Sequence, residues 1–322
     1  MAQKSVGQLG FGDAMVAESR VRREDRLGRI EGLLDWSRFE ALLSGLYPSR
    51  RGEPAYPPLL MFKALLLQRW YGLSDPGLEE ALDDRLSFRR FVGLSLSDPT
   101  PDHTTLHRFR DRLERAELLE KLTAELARQL DEKGVILRQG TLIDASLVTS
   151  AARRPRMSEG RTSPVDPDAT FGTNNERRRY EFGYKLHIAV DQTSGLVRDL
   201  RVSPANRQEI DFACDLVQGD EAMVYADRGY DSRRLHDYLE EREIKNGVMR
   251  RNRRDKPLNQ METLRNYALV LARRPVEKVF GTLKRSYRLN RLPHFSLSRN
   301  TACLTLACFA YNLRRLDRLL AG

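Results

Sequence analysis

The stretch TLIDAS, residues 141–146, decides the fold that this 322-residue sequence can adopt. Apolar residues of strand character lead into Asp144, and VYADRGY, residues 224–230, repeats the pattern with Asp227. Each carboxylate would leave the end of a strand, as acids do at the cleft of an open α/β sheet. A single aspartate there is more often a turn former or a helix cap, but two such sites make that alternative less persuasive. The pair predicts an α/β unit with both acids facing one cleft.

Alternating strand and helix patterns surround these two stretches. Short apolar runs bounded by turn residues predict strands, and longer runs with helical spacing predict helices between them. This alternation is typical of an α/β unit. Strands are predicted over 141–144, 185–190, 196–202, 222–226 and 244–248, and helices over 208–217 and 232–241.

A third acid, Glu277, lies in the stretch RRPVEKVFGTLKR, residues 273–285. The apolar spacing of this stretch predicts a helix with one buried face. At about 100° per residue, Glu277 shares a stripe beside that face with Gly281, Lys284 and Arg288. A charged flank of an amphipathic helix is the simpler interpretation, but a glycine inside a helix is costly unless something must approach closely. A DNA backbone would be such a partner.

Three carboxylates in one cleft repel one another unless cations lie between them. Oxygen ligands suit Mg²⁺, with Mn²⁺ as a substitute. Two such ions about 3.5 to 4 Å apart can activate an attacking oxygen and stabilise a leaving one in phosphodiester chemistry. The candidate catalytic and metal-binding residues are therefore Asp144, Asp227 and Glu277, with two ions in the site.

The region before the α/β unit has helical spacing throughout, from about residue 25 to Gly134. Helices over 75–91 and 101–115 have the proportions of a helix-turn-helix, in which the second helix would read DNA. A helical bundle with a solvated basic surface is an equally good interpretation of the same pattern. The basic side chains of the second helix that could contact DNA are Arg108, Arg110 and Arg112, with His103 and His107 beside them.

The chain carries a formal net charge of +10 and has a pI near 9.7, which favours an anionic partner such as nucleic acid. Arginines are concentrated in the segment 149–179, which contains few large apolar residues. This segment is too long for an ordinary hairpin loop. We expect this insertion to be mobile without DNA and ordered with it, although a merely solvated basic loop has the same composition. Its candidate phosphate contacts are Arg153, Arg154, Arg177, Arg178 and Arg179.

Cysteine content and hydropathy exclude two classes of protein. Three cysteines are too few for a disulfide framework, and no Cys/His pattern completes a zinc site. The N-terminus lacks the long apolar stretch of a signal peptide, and the most apolar run, 301–313, is too short to cross a bilayer. A disulfide-rich secreted protein and a membrane protein are therefore excluded, and a cytoplasmic location is expected.

Four stretches of the sequence resemble the DDE transposases of bacterial insertion sequences, in particular the insertion-sequence-five group and its insertion-sequence-four relatives. They are LIDAS, YEFGYKLHIAVD, YADRGYD and RRPVEKVFGTLKR, and the similarity runs from Leu142 to Arg291. The helical region from about residue 25 to 131 also resembles the N-terminal domain of that group. The resemblance implies a nucleoid-associated bacterial enzyme. Such an enzyme cuts double-stranded DNA at the terminal inverted repeats of an element and joins the ends to target DNA.

The resemblance also implies how the chain is divided. A ribonuclease-H-like catalytic core would occupy 137–322, with the Arg-rich segment as an insertion, preceded by an all-helical DNA-binding domain over 1–136. In such a core the first acid lies on the first strand, the second on the fourth, and the glutamate on a later helix. Asp144, Asp227 and Glu277 match these places.

The group's signature arginine and lysine correspond to Arg273 and Lys284, which the resemblance implies as contacts to DNA phosphate. Arg288 continues the same basic stripe, and Val270 replaces the group's usual tyrosine. A homodimer or larger homo-oligomer is implied in the complex that pairs the element's two ends. Two alternatives stay open. A metal-dependent nuclease or junction resolvase on the same core would cleave without joining, and a domesticated DNA-binding protein or repressor would use the helical domain alone.

Overall fold

The computed structural model describes residues 3–10, 12–13, 26–47, 54–156, 162–174, 179–252 and 257–321. Its contacts separate two compact units. The helical unit comprises Met1–Lys133 together with Leu313–Gly322, and the α/β unit comprises Gly134–Asn312.

Capping residues define the ends of several helices in the helical unit. The side chains of Asp35, Ser74 and Asp102 each accept a hydrogen bond from a backbone N–H of the first turn that follows. Gly72 and Gly93 end two helices in the left-handed conformation, which glycine adopts without steric cost. The helices are α1 (Arg26–Leu33), α2 (Trp36–Leu43), α3 (Pro58–Tyr71), α4 (Asp75–Asp84), α5 (Leu86–Val92), α6 (His103–Arg115) and α7 (Leu118–Glu132).

The helix-turn-helix candidate differs from the prediction in its first helix. The predicted helix over 75–91 is broken into α4 and α5 at Arg85, whose backbone is extended. The Arg85 guanidinium lies 5.0 Å from the centre of the Phe88 ring and 5.9 Å from that of Tyr71, so the break is stabilised by cation–π contacts. Helix α6 begins close to the predicted start and buries Leu106, as expected.

The α/β unit is built on a six-stranded mixed sheet with the order β2-β3-β1-β5-β6, and β4 also pairs with β3. The long strand β3 pairs with β1 along one edge, and with β2 and β4 in succession along the other. These pairings are antiparallel, whereas β1, β5 and β6 are parallel. The strands are β1 (Thr141–Thr149), β2 (Thr170–Asn174), β3 (Arg179–Asp191), β4 (Val197–Pro204), β5 (Met223–Ala226) and β6 (Lys245–Val248).

Apolar side chains from the parallel part of the sheet form a core with the helix between β5 and β6. Ile143 and Val224 pack there with Leu235 and Leu239, and all four are fully buried. Tyr230, which follows β5, is buried in the same cluster. The helices of this unit are α8 (Arg233–Glu240), α9 (Gln260–Ala272), α10 (Arg274–Gly281) and α11 (Leu297–Ala321).

Two predicted features of the α/β unit are corrected. The helix predicted over 208–217 is a pair of short 3₁₀ turns, Glu209–Phe212 and Cys214–Leu216. No strand was predicted in the Arg-rich segment, but its described residues include β2, which extends the sheet. Asp166 in this segment is fully buried and accepts hydrogen bonds from the hydroxyls of Ser150 and Tyr184. A buried and paired carboxylate anchors the segment to the sheet, which composition alone does not reveal.

The C-terminus also differs from the predicted division, which assigned all of 137–322 to the catalytic domain. Leu313–Gly322, the end of α11, belongs to the helical unit. Asp317 accepts hydrogen bonds from Arg26 and Arg29 at 3.0 and 3.1 Å, so the end of α11 forms ion pairs with α1. All three cysteines are buried and unpaired. No helix among the described residues is long and apolar enough to cross a membrane.

Candidate active site

Asp144 and Asp227 lie level with each other because of the pairing between β1 and β5. The two strands are parallel and their last pair is Leu142 with Tyr225. Asp144 lies two residues beyond Leu142, and Asp227 lies two residues beyond Tyr225, so equal offsets from a parallel pair bring the two acids to the same edge. Both residues line one cleft of about 1020 Å³.

The two aspartates differ in how the backbone holds them. The sequence placed Asp144 at a strand end, whereas β1 continues to Thr149 because β3 pairs with it over its whole length. Asp227 does end its strand, and its carboxylate accepts a 2.7 Å hydrogen bond from the backbone N–H of Gly229. Asp227 therefore also caps the short turn Arg228–Tyr230, as the simpler interpretation of its position expected.

Glu277 reaches the same cleft from the first turn of α10. Arg273 is the N-cap of this helix and Pro275 lies in its first turn, where proline's missing N–H costs nothing. Glu277, Gly281 and Lys284 all line the cleft, as the predicted stripe requires. The stripe does not extend further.

Arg288 departs from that stripe because the helix does not stay regular. α10 ends at Gly281, and Thr282–Ser286 form a π-helical turn. Arg288 lies beyond this turn with a left-handed backbone, at a φ of 56°, and its side chain is exposed. The structure does not place Arg288 with Glu277 and Lys284.

Arg273 contacts a carboxylate, although the sequence comparison implied a contact to phosphate. Its Nη2 atom lies 3.0 Å from Oδ2 of Asp144, and both side chains are largely buried, with 15% and 18% of their surface exposed. The Nε atom of Arg273 is buried and has no hydrogen-bond partner among the described residues. In this structure Arg273 is the counter-ion of Asp144.

Sequence reasoning missed a fourth acid, Glu209, which lines the cleft beside Asp144 and Asp227. Its Oε1 atom lies 3.4 Å from Nζ of Lys185, which also donates a 2.9 Å hydrogen bond to the carbonyl of Arg207. Lys185 lies in the middle of β3, a strand with neighbours on both edges, and its side chain is only 12% exposed. A lysine in a central strand is rarely buried without a partner, and this was the available signal for an acid nearby.

Burial controls the charge state of the acids in the cleft. It raises the pKa of Asp144 to about 7, an effect that the Arg273 guanidinium opposes and that the charges of Asp227 and Glu209 reinforce. Burial also raises the pKa of Glu209, while Lys185 acts to lower it. The fully buried Tyr230 hydroxyl has a pKa far above its ordinary value, first because of burial and then because of the acids around it. The environment of the cleft therefore disfavours the ionised forms of Asp144 and Glu209.

The side chains of the cleft have the chemistry needed to bind a divalent cation. The acids supply carboxylate oxygens, the ligands that Mg²⁺ prefers, and a bound cation would offset the penalty that raises the pKa of Asp144. Within the described part of the chain, no three Asp, Glu, His or Cys side chains are already grouped around one ion position. Part of the charge is instead balanced by Arg273 and Lys185.

The predicted DNA-binding residues of α6 have different environments. Arg108 is exposed and lines an open cleft of about 390 Å³ with Arg112 and Arg115. Arg110 does not share this surface: its Nη2 atom forms a 2.6 Å ion pair with Asp75, and only 13% of its side chain is exposed. Arg112 packs over Tyr47, at 4.8 Å from its guanidinium carbon to the ring centre.

The remaining arginines belong to the Arg-rich segment. Arg153 is exposed, and Arg154 packs over the Phe171 ring at 5.2 Å. Arg177 and Arg178 lie outside the described residues, and the side chain of Arg179, the first residue of β3, is not described.

Two family models match this chain. Residues 15–112 match the family described as Transposase domain (DUF772), and residues 137–313 match the family described as Transposase DDE domain. The chain is a transposase. It belongs to the Transposase DDE domain family, whose model covers more than half of its length, and is therefore a DDE enzyme of DNA transposition. Membership implies dependence on a divalent metal ion, typically Mg²⁺.

Two solved structures are also similar to the chain. One is the piggyBac transposase in a synaptic complex with hairpin DNA, with 10% identity and a TM-score of 0.44 over 91% of this chain and 76% of that one. The other is a pre-cleavage Mos1 transpososome, with 12% identity and a TM-score of 0.20 over 86% of this chain and 91% of that one.

Proposed function

We propose that this transposase mobilises a bacterial insertion sequence of the insertion-sequence-five group or its insertion-sequence-four relatives, and that its α/β unit has a ribonuclease-H-like fold. The observation that carries the proposal is the convergence of Asp144, Asp227 and Glu277 on one cleft. They come from a central strand, the end of its parallel neighbour and a later helix. This is the arrangement that the sequence resemblance implies for a DDE site.

The proposed reaction has two steps with the same chemistry. Water attacks the phosphodiester at an element end, forming a new P–O bond while the 3′ oxygen leaves as a 3′-hydroxyl. That hydroxyl then attacks a phosphodiester of the target, and the target's own 3′ oxygen leaves. No side chain has to act as nucleophile in either step.

Five residues of the cleft have proposed roles in these steps. Asp144 and Asp227 would hold two Mg²⁺ ions, for which Mn²⁺ could substitute, and Glu277 would hold one of them. When bound, such ions stabilise the charge that develops on the attacking and leaving oxygens. Lys284, which lines the cleft, orients a DNA phosphate. Arg273 keeps Asp144 in place through their ion pair.

Recognition of the element's ends is assigned to residues 1–136. The basic side chains of Arg108, Arg112 and Arg115 on α6 support this proposal because they line an open cleft. Arg153 and Arg288 are exposed and suit the phosphates of element or target DNA. A homodimer or larger homo-oligomer would hold two ends together.

Cleavage and strand transfer on DNA that carries the repeats flanking the coding region test the proposal. Asp144→Asn, Asp227→Asn and Glu277→Gln should each abolish both steps in Mg²⁺ and leave end binding intact. A triple variant should be scarcely worse than the singles, since groups that act as a unit are not additive. Glu240→Gln, an exposed acid of α8, is the matched control and should retain activity. Near-normal strand transfer by Glu277→Gln would remove the third acid from the site.

A further inference from the structure

Glu209 lies in the cleft although the three-acid pattern does not include it. It is the first residue of the 3₁₀ turn Glu209–Phe212, which follows β4. Its side chain is only 29% exposed, and one of its oxygens is directed to Lys185. Its second oxygen, Oε2, is not used in this ion pair.

The second oxygen of Glu209 faces Asp227 across Gly229. A Cβ atom added to Gly229 would lie 2.8 Å from Oδ1 of Asp227 and 3.0 Å from Oε2 of Glu209. Both carboxylate oxygens therefore lie about 3 Å from the same point beside Gly229, in a space that a side chain at residue 229 would fill. Ionised carboxylates on either side of such a space repel each other, and a cation between them would relieve the repulsion.

The ion pair with Lys185 does not explain this arrangement by itself. Pairing with Nζ of Lys185 uses Oε1, and Oε2 accepts no hydrogen bond from any described residue. If Glu209 served only to fix its turn through Lys185, its Oε2 atom would be expected to face water. Here it is turned to an acid of the active site instead, with Lys185 holding the carboxylate from the other side.

We propose that Glu209 is a fourth acidic residue of the metal site and binds a divalent cation together with Asp227. The inference rests on the proposed function and adds a residue to its metal site. Mg²⁺ is commonly held by one or two carboxylates, with water and substrate phosphates as its other ligands, so two acids are sufficient. Lys185 acts as a positioning residue that aims Glu209 at Asp227.

Mn²⁺ binding to the full-length protein without DNA tests this directly, because it does not depend on catalysis. Titration calorimetry would compare Glu209→Gln with Asp227→Asn and with a matched control, Asp211→Asn. Asp211 lies in the same 3₁₀ turn but pairs with Arg207, at 3.3 Å, and does not line the cleft. We expect the apparent Kd for Mn²⁺ to rise by about tenfold or more in the first two variants and to stay within about twofold in the control.

Gly229→Ala provides a second variant, in which no acidic residue is substituted. Its Cβ would push the two carboxylates apart, so it should also raise the Kd for Mn²⁺. If Glu209→Gln does not fold, as judged by circular dichroism, Gly229→Ala decides the outcome.

The possible results separate this inference from the proposed function. The role of Glu209 is overturned, and the three-acid site left standing, if Asp227→Asn weakens Mn²⁺ binding but Glu209→Gln binds with the wild-type Kd. If Glu209→Gln does not fold, a wild-type Kd in Gly229→Ala has the same meaning. A wild-type Kd in Asp227→Asn as well would overturn the metal site itself. Equal weakening in Asp211→Asn would show that the turn acts only through structure, and this would also refute the inference.

Discussion

Replacing Asp144 by Asn should stabilise the protein in a pH-dependent way when no metal is present. Burial raises the pKa of this carboxyl from 3.8 to about 7 in the folded state. An acid whose pKa is raised by folding does not lower the free energy of unfolding at a pH below its unfolded pKa, where it is protonated in both states. The cost grows as the unfolded chain ionises and is complete once the pH passes the folded pKa. Asparagine resembles the neutral form and avoids this cost.

The size of the effect follows from the shift. At about 1.4 kcal/mol per pKa unit, a rise from 3.8 to about 7 corresponds to about 4 kcal/mol of lost stability above pH 7. The advantage of Asp144→Asn over the wild type should therefore begin near pH 4, increase up to about pH 7 and then stay constant. Mg²⁺ should reduce the difference at high pH, because binding that includes the ionised Asp144 carboxylate stabilises the wild type more than the variant.

Urea unfolding followed by circular dichroism, in EDTA at a series of pH values, measures this difference. The two tryptophans, Trp36 and Trp70, both belong to the helical unit, so tryptophan fluorescence reports the unfolding of that unit. Asp237→Asn, an exposed acid on α8, should show no pH-dependent gain. If Asp144→Asn is equally destabilised at pH 5 and pH 8, loss of the Arg273 ion pair dominates and the burial argument is wrong.

Two further predictions concern stability. Arg110→Ala should lower the free energy of unfolding by about 1–3 kcal/mol, because the half-buried Asp75 loses its ion-pair partner and keeps, among the described residues, only the hydrogen bond from Gln68. Arg108→Ala should change the free energy of unfolding by less than about 0.5 kcal/mol and weaken DNA binding instead. Urea unfolding and DNA titrations of both variants would check this, and equal effects on stability would contradict the assignment. Asp166→Ala should also cost about 1–3 kcal/mol, since the Tyr184 hydroxyl loses its buried acceptor, and should speed limited proteolysis between residues 162 and 174 without DNA. Unchanged proteolysis would show that Asp166 does not anchor the segment.

The sequence predicts those parts of the α/β unit that depend on local pattern. The apolar runs before Asp144 and Asp227 are strands, and the short helix and strand after Asp227 lie where their periodicity places them. β2 was missed because it is a five-residue edge strand inside an Arg-rich segment. Its stability comes from pairing with β3 and from the buried Asp166, and neither is visible in local composition.

Long-range pairing explains the other differences. Arg110 has the helical position of a DNA-binding residue, but its partner Asp75 lies 35 residues earlier. Glu209 was hidden because a helix was predicted over 208–217, and only the fold brings this residue to Gly229. A charged side chain can be assigned to a surface from sequence, but its partner depends on the packing of distant segments.

The elements that carry the acids also differ in how firmly they are fixed. Asp144 lies on a strand with β3 paired along its whole length, and Asp227 follows a strand that has neighbours on both sides. Glu277 lies instead on an eight-residue helix that passes directly into a π-helical turn, where hydrogen bonds are less regular. Moving either aspartate would break hydrogen bonds of the sheet, whereas α10 is held by the packing of Val276, Val279 and Phe280 and not by sheet hydrogen bonds. We therefore expect any adjustment to DNA or metal to occur on the Glu277 side of the cleft, with the sheet as the fixed reference.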